Sequence, residues 1–249
     1  MKAEVHVLYF YEHWLFPYIL RHYTSFADKV VVHDGGGKLP PQRYFPARTF
    51  VVPWDCPEVN DLKYMELRNN CWKGTDADWV AVVDADEFIW FPWGAEPTLG
   101  VYEKLGAAVI KPHGFEMFSE ALPDGPGQIY DQIKMGAPDD KWYAKPVLFS
   151  PKRVREIGLG VGSHEADARL HDGRRMHVGK EWPFASPPAY LLHYHQLGPA
   201  EAIAARYDGN VQRMCVANKV NRWGNFKPGM EHVAEKRAAI LPHLRQVIP

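Results

Sequence analysis

The chain has 249 residues, 46% hydrophobic and 24% charged, without a low-complexity tract. This excludes disordered and repeat-fibrous classes and leaves enough apolar surface for a core that needs no staples. The net charge of −1 hides an asymmetry: residues 1–140 sum to −9 and residues 141–249 to +8, so the second half favours an anionic partner.

Residues 5–10 form a short apolar run that Glu12 and His13 soon interrupt. The pattern predicts a first buried strand, not a signal peptide. Residues 14–23 carry apolar side chains at three and four spacing, as a helix requires. Residues 29–33 are a β-branched run that stops at Asp34-Gly35-Gly36-Gly37, and residues 50–53 are a third strand candidate. Residues 61–74 read as a helix ending at Gly74. Residues 79–83, Trp-Val-Ala-Val-Val, are the clearest strand, continuous in apolar residues as a strand covered on both faces is. Residues 107–111 and 145–150 suggest further strands. The Gly-, Pro- and Asp-rich residues 122–142 read as a loop or lid, and residues 199–218 as a helix. Alternation of strands and helices over the first ninety residues predicts an α/β fold with a mostly parallel sheet flanked by helices.

Cys56, Cys71 and Cys215 are odd in number and form no CxxC pair, which fits unpaired thiols in a reducing compartment. No stretch approaches the roughly 18 apolar residues of a membrane span. The expected location is cytoplasmic, or at most peripheral to a membrane.

In a parallel sheet, ligands bind beyond the carboxyl ends of the strands. Two predicted strands end there in acidic turns, one at Asp34 and one at Asp84-Ala85-Asp86-Glu87. Residues i and i+2 of an extended chain project to the same face, so Asp84 and Asp86 can approach one divalent cation or divide metal and ribose between them. Mg²⁺ and Mn²⁺ prefer such oxygen ligands, with nucleotide phosphate completing the shell. His193 and His195 also share a face if extended, and one could add a nitrogen ligand; both together would suggest zinc. Gly35-Gly36-Gly37 lacks the Lys-Ser/Thr continuation of a P-loop.

Residues 68–88, from Arg68-Asn69 through Trp79 to Asp84-Ala85-Asp86-Glu87-Phe88, resemble the central block of family-2-like GT-A glycosyltransferases. Tyr11-Glu12-His13 resembles that family's Asn-Glu segment, although Tyr11 stands where Asn is common. Residues 29–34 with the glycines resemble its strand–Asp–Asn-Gly-Ser turn, with three glycines in place of Asn-Gly-Ser. Residues 145–151, Gly162-Ser163-His164-Glu165 and residues 192–195 resemble its later blocks. The resemblance runs in order over residues 5–210, with its specific motifs at 68–88.

It implies a Rossmann-related GT-A-like sheet in one catalytic domain over residues 1–249, with a donor half at 1–110 and an acceptor half at 111–249. The implied reaction moves a sugar from a nucleotide-sugar, UDP-sugar foremost, to a hydroxyl acceptor. The implied cofactor is Mn²⁺ or Mg²⁺ on Asp86, with Asp84 on metal or ribose. Asp34 and Glu12 would meet the base, Arg68 the diphosphate, and His195 or His193 the metal. An inverting enzyme also requires a carboxylate base, for which Glu165 and Glu116 stand ahead of Asp140 and Asp167. The basic second half makes an anionic acceptor the natural test: a phosphorylated glycan, a lipid-linked sugar or hydroxymethylated DNA. The alternatives are a nucleotidyltransferase, a non-catalytic nucleotide- or sugar-binding module, and a metallohydrolase built on His193 and His195.

Overall fold

The computed structural model describes residues 1–10, 13–36, 39–40, 42–223 and 229–249. The chain begins β1 (Ala3–Tyr9), α1 (Phe16–Thr24), β2 (Lys29–Asp34), β3 (Thr49–Pro53), α2 (Asp61–Asn70), β4 (Trp79–Asp84), β5 (Glu87–Trp90), α3 (Ala95–Lys104) and β6 (Val109–Ile110). It continues with β7 (His113–Ser119), α4 (Ile129–Gln132), β8 (Met135–Pro138), β9 (Leu148–Phe149), β10 (Val154–Glu156), β11 (Ala166–Leu170), β12 (Arg175–Val178) and β13 (Tyr190–Leu197). The last elements are α5 (Ala200–Gln212), α6 (Val216–Asn221), α7 (Met230–Ile240) and β14 (Arg245–Gln246).

The central sheet has the order β3-β2-β1-β4-β9-β6. Its first four strands are mutually parallel, and β9 and β6 extend it antiparallel. The architecture is the expected α/β one. Val5, Val7, Val30, Val32, Trp79, Ala81 and Val83 face α1, whose Ile19 and Tyr23 are fully buried. Val80, Val82 and Leu8 face the other way, onto Trp72, Phe149 and the small β10-β11-β12 sheet. Burial on both faces explains why these strands read as unbroken apolar runs.

A second sheet, β14-β8-β7-β13-β5, is joined to the first where the chain leaves β4, turns through Ala85 and Asp86 and enters β5. β13 lies between β7 and β5, with His193 opposite Glu116 on one side and Glu87 on the other. The C-terminal histidines are thereby carried to the end of β4.

The region 122–142, read as a loop, contains α4 and β8. Met-Gly-Ala-Pro is a poor strand former, and β8 exists because β7 supplies a partner edge. All three cysteines are free, and among the described residues no helix is long and apolar enough to cross a membrane.

Candidate functional site

Four parallel strands place their carboxyl ends on one edge. Asp34 ends β2 and Asp84 ends β4, and β1 runs between them, so their backbones lie about two strand spacings, or ~10 Å, apart. Asp34 is buried, and its carboxylate accepts from the backbone N–H groups of Gly36 and Leu39 at 3.1 Å each, closing the turn. The turn needs a glycine at 35, where an added Cβ would lie 2.9 Å from Phe10 and 3.3 Å from the Cys56 carbonyl. Glu12 and Gly37 lie outside the described residues.

At the end of β4 the two aspartates part. Asp84 turns toward α2 and accepts from Arg68 Nη2 at 2.5 Å, with Lys145 Nζ at 3.8 Å. Lys145 is buried and donates to Glu87 Oε1 at 2.5 Å, while Glu87 Oε2 accepts from the backbone N–H of Asp84 at 2.9 Å. Burial works to raise the Asp84 carboxyl, but Arg68 and Lys145 hold it below the usual carboxylate range. Arg68 reaches the site because α2 is capped by Asn60 and anchored at its far end by Asn69, which bonds both backbone groups of Leu159. Arg68 Nη1 is buried and has no partner among the described residues.

Asp86 turns the other way. Its Oδ2 lies 3.0 Å from His195 Nδ1 and 3.4 Å from His193 Nε2, and one ligand atom from each of the three residues falls within 4.8 Å of the others. Glu116, buried on β7, meets His193 Nδ1 at 3.1 Å. The imidazole is therefore held between two carboxylates. Burial lowers the pKa of His193, yet Asp86 and Glu116 keep it raised, at about 10. His195, which meets Asp86 and not Glu116, has its pKa lowered by burial. Burial also opposes ionisation of Asp86, but His193 and His195 hold its carboxyl well below the ordinary range.

Four rings fix this arrangement. Tyr143 stacks on His193 at 4.1 Å, His193 on His195 at 5.3 Å and 2°, and His195 on Tyr207 of α5 at 5.2 Å. Tyr143 and Lys145 come from one short segment. It lies close to β7 because residue 114 is glycine: a Cβ there would sit 2.4 Å from the Tyr143 carbonyl carbon and 2.5 Å from the Ala144 nitrogen.

Asp84, Asp86, Arg68, His193, His195 and Glu116 thus converge on one region. Glu165 is exposed on the turn before β11, beside His164. His164 packs edge-on to Trp142, and burial with Lys145 nearby lowers its pKa to about 4. Asp140 accepts from the Gly114 N–H, and Asp167 pairs with His177 on the small sheet. Sequence reasoning assigned no role to Glu87, Lys145, Tyr143 or Tyr207. Glu87 and Lys145 stood inside the quoted motifs, whereas the tyrosines carried no local signal.

The arrangement can do two things chemically. The O/N/N triad can hold a divalent cation. The Arg68–Lys145 pair, with Asp84 and Glu87 as counter-charges, can receive a polyanion.

No family model and no curated protein matches this sequence. Among solved structures, S. aureus TarS 1–349 aligns at 12% identity over 86% of this chain and 68% of that chain, with a TM-score of 0.37. A likeness at that score carries no functional argument, so function has to be read from the site's side chains.

Proposed function

We propose that the chain is a GT-A-like glycosyltransferase that moves a sugar from a nucleotide-sugar, UDP-linked foremost, to a hydroxyl acceptor with inversion. The observation that carries this reading is the convergence of Asp86, His195 and His193 beside Arg68 and Lys145 at the carboxyl edge of the parallel strands. The donor set fits a divalent cation: one carboxylate oxygen and two imidazole nitrogens approach a common point, and Glu116 orients His193 from behind as outer carboxylates do. Mn²⁺ or Mg²⁺ bound there would offset charge on the departing nucleoside diphosphate.

In this reading Asp86, His195 and His193 hold the cation. Asp84 fixes Arg68, and the unpartnered Arg68 Nη1 together with Lys145 receives the diphosphate. Asp34, with Glu12, belongs to the base end of the nucleotide. Glu165 removes the acceptor proton, and Glu116 is the orienting carboxylate. Residues 1–110 form the donor half and 111–249 the acceptor half of one catalytic domain. The positive charge of residues 141–249 favours an anionic acceptor. If that acceptor is DNA, binding will weaken steeply with added salt.

Thermal melting with a panel of nucleoside diphosphates, in Mn²⁺ and in EDTA, tests the donor site. Metal-dependent stabilisation by one nucleotide is expected; no shift with any of them sinks the reading. Both histidines on one carboxylate also favour a second reading, a zinc hydrolase. That reading predicts zinc that is lost in Asp86→Asn, with no nucleotide effect.

A further inference from the structure

On the α2 side of the central sheet lies a group of ligating side chains, two of them buried and the third partly so. His6 of β1 and His33 of β2 are diagonal neighbours on one face, because His33 pairs with Leu8. His6 Nδ1 and His33 Nε2 face each other at 3.0 Å, with the rings 5.3 Å apart and nearly parallel. Cys71, at the C-terminal end of α2, brings a sulfur over the same face, and the three ligand atoms lie within 4.8 Å of one another. Cys71 packs against the apolar cluster that includes Leu8, Trp72 and Val80.

We propose that His6, His33 and Cys71 form a second metal site, for a borderline-soft transition ion such as Zn²⁺, independent of the Asp86 site. Three features argue for it. Two nitrogens and a sulfur are ligand types zinc prefers, and the sulfur distinguishes this set from the one carboxylate and two imidazoles at Asp86. Two imidazole nitrogens of a tetrahedral site with ~2.0–2.1 Å bonds lie about 3.3 Å apart, close to the spacing here. Finally, a carboxylate stands beside His6 where an outer partner of a metal-bound histidine would: Glu4 Oε1 lies 2.9 Å from His6 Nε2, although the two are not aligned as a hydrogen bond and Nε2 is otherwise unpartnered among the described residues. Glu4 is itself fixed by Thr75 Oγ1 at 2.8 Å and Lys29 Nζ at 3.2 Å.

The proton balance follows from these contacts. His6 must carry its proton on Nε2, beside Glu4, so that Nδ1 offers its lone pair to the site. His33 must place its proton on Nδ1 to offer Nε2, and Cys71 must lose its thiol proton to solvent. The ion displaces that proton, so binding strengthens as pH rises.

The bland alternative is a buried histidine pair sharing one hydrogen bond beside an inert thiol. Titrating the chelator-treated full chain with Co²⁺ separates the two, since only a thiolate ligand gives sulfur-to-cobalt charge-transfer absorption. The wild type and Asp86→Asn are both expected to develop the band to one equivalent. Cys71→Ser is expected to lose it and His33→Gln, which removes a direct ligand, to need a clear excess of Co²⁺ to develop it. A wild-type chain without the band, or a Cys71→Ser chain that keeps it, overturns the proposal. Absence of the band in the wild type overturns the site whether or not a variant folds, Cys71→Ala serves in place of Cys71→Ser should the latter not fold, and a failed nucleotide test at the Asp86 site leaves the proposal unaffected.

Discussion

Asp84 and Asp86 are two residues apart in sequence, yet they serve different neighbourhoods, and the consequences of substituting them differ accordingly. Asp86→Asn keeps the shape but weakens the one anionic ligand that both histidines approach. Activity is expected to fall to background and metal-dependent nucleotide stabilisation to vanish, and the melting temperature without ligand to fall as well, because the amide cannot offset the buried charge of His193. Full transfer activity in the variant would remove Asp86 from the metal site. Glu116→Gln acts one layer out and should weaken metal binding by about 10- to 100-fold. Lys145→Met is a test of a different kind. It leaves Glu87, only 1% exposed, without its cation, a loss expected to cost about 3–5 kcal/mol in urea unfolding. Adding Glu87→Gln should recover part of that loss, because a buried amide costs less than a buried unpaired charge. If the double variant is no better than the single, the pair is not the source of the stability.

Elements differ in how much of them the sequence discloses. The β1, β2 and β4 strands were legible as apolar runs, and the acidic turn after β4 was legible as a candidate site. Both follow from local chain chemistry, and both positions match within a residue or two. β8 was not legible, because its strand character is supplied by β7. The Tyr143 and Tyr207 rings were not legible either, because what places them is β13 returning more than a hundred residues after Asp86. The separate bonding of Asp84 and Asp86 depends on Arg68 and Lys145, which an i, i+2 argument does not contain. One glycine tests how much the site depends on element packing. Gly114→Ala drives a methyl into the backbone of residues 143–144, and no side-chain rotation relieves that overlap. The segment must lift from β7, taking Tyr143 off His193 and Lys145 from Glu87. A loss of stability of about 1–3 kcal/mol is expected, together with weakened metal binding. Unchanged metal affinity in a folded Gly114→Ala protein would show that the tyrosine stack does not hold His193.

At the scale of the molecule, the two sheets are coupled through a histidine remote from the site. His22 of α1 is buried between them: Nε2 donates to the Ile89 carbonyl of β5 at 3.0 Å, and the ring packs on Tyr23, Phe26, Phe88 and Tyr130. The titratable groups facing it are the phenols of Tyr23 and Tyr130, the latter 3.5 Å from Nδ1, and neither ionises in the acid range. Burial lowers the His22 pKa from 6.5 to about 4, against the hydrogen bond to Ile89. The unfolded chain therefore takes up a proton below pH 6.5 that the folded chain refuses until about pH 4. Stability from this group is full above 6.5, declines as pH falls through that window, and changes no further below it. His22→Phe keeps the ring packing but leaves the Ile89 carbonyl unsatisfied, so it should be less stable at neutral pH by about 1–3 kcal/mol. Its unfolding free energy should nevertheless fall less steeply between pH 6.5 and 4, by the slope of about one proton. Urea unfolding of both proteins across that range measures the difference. Parallel profiles would mean that His22 is protonated inside the fold and that the acid sensitivity of the sheet junction comes from other groups.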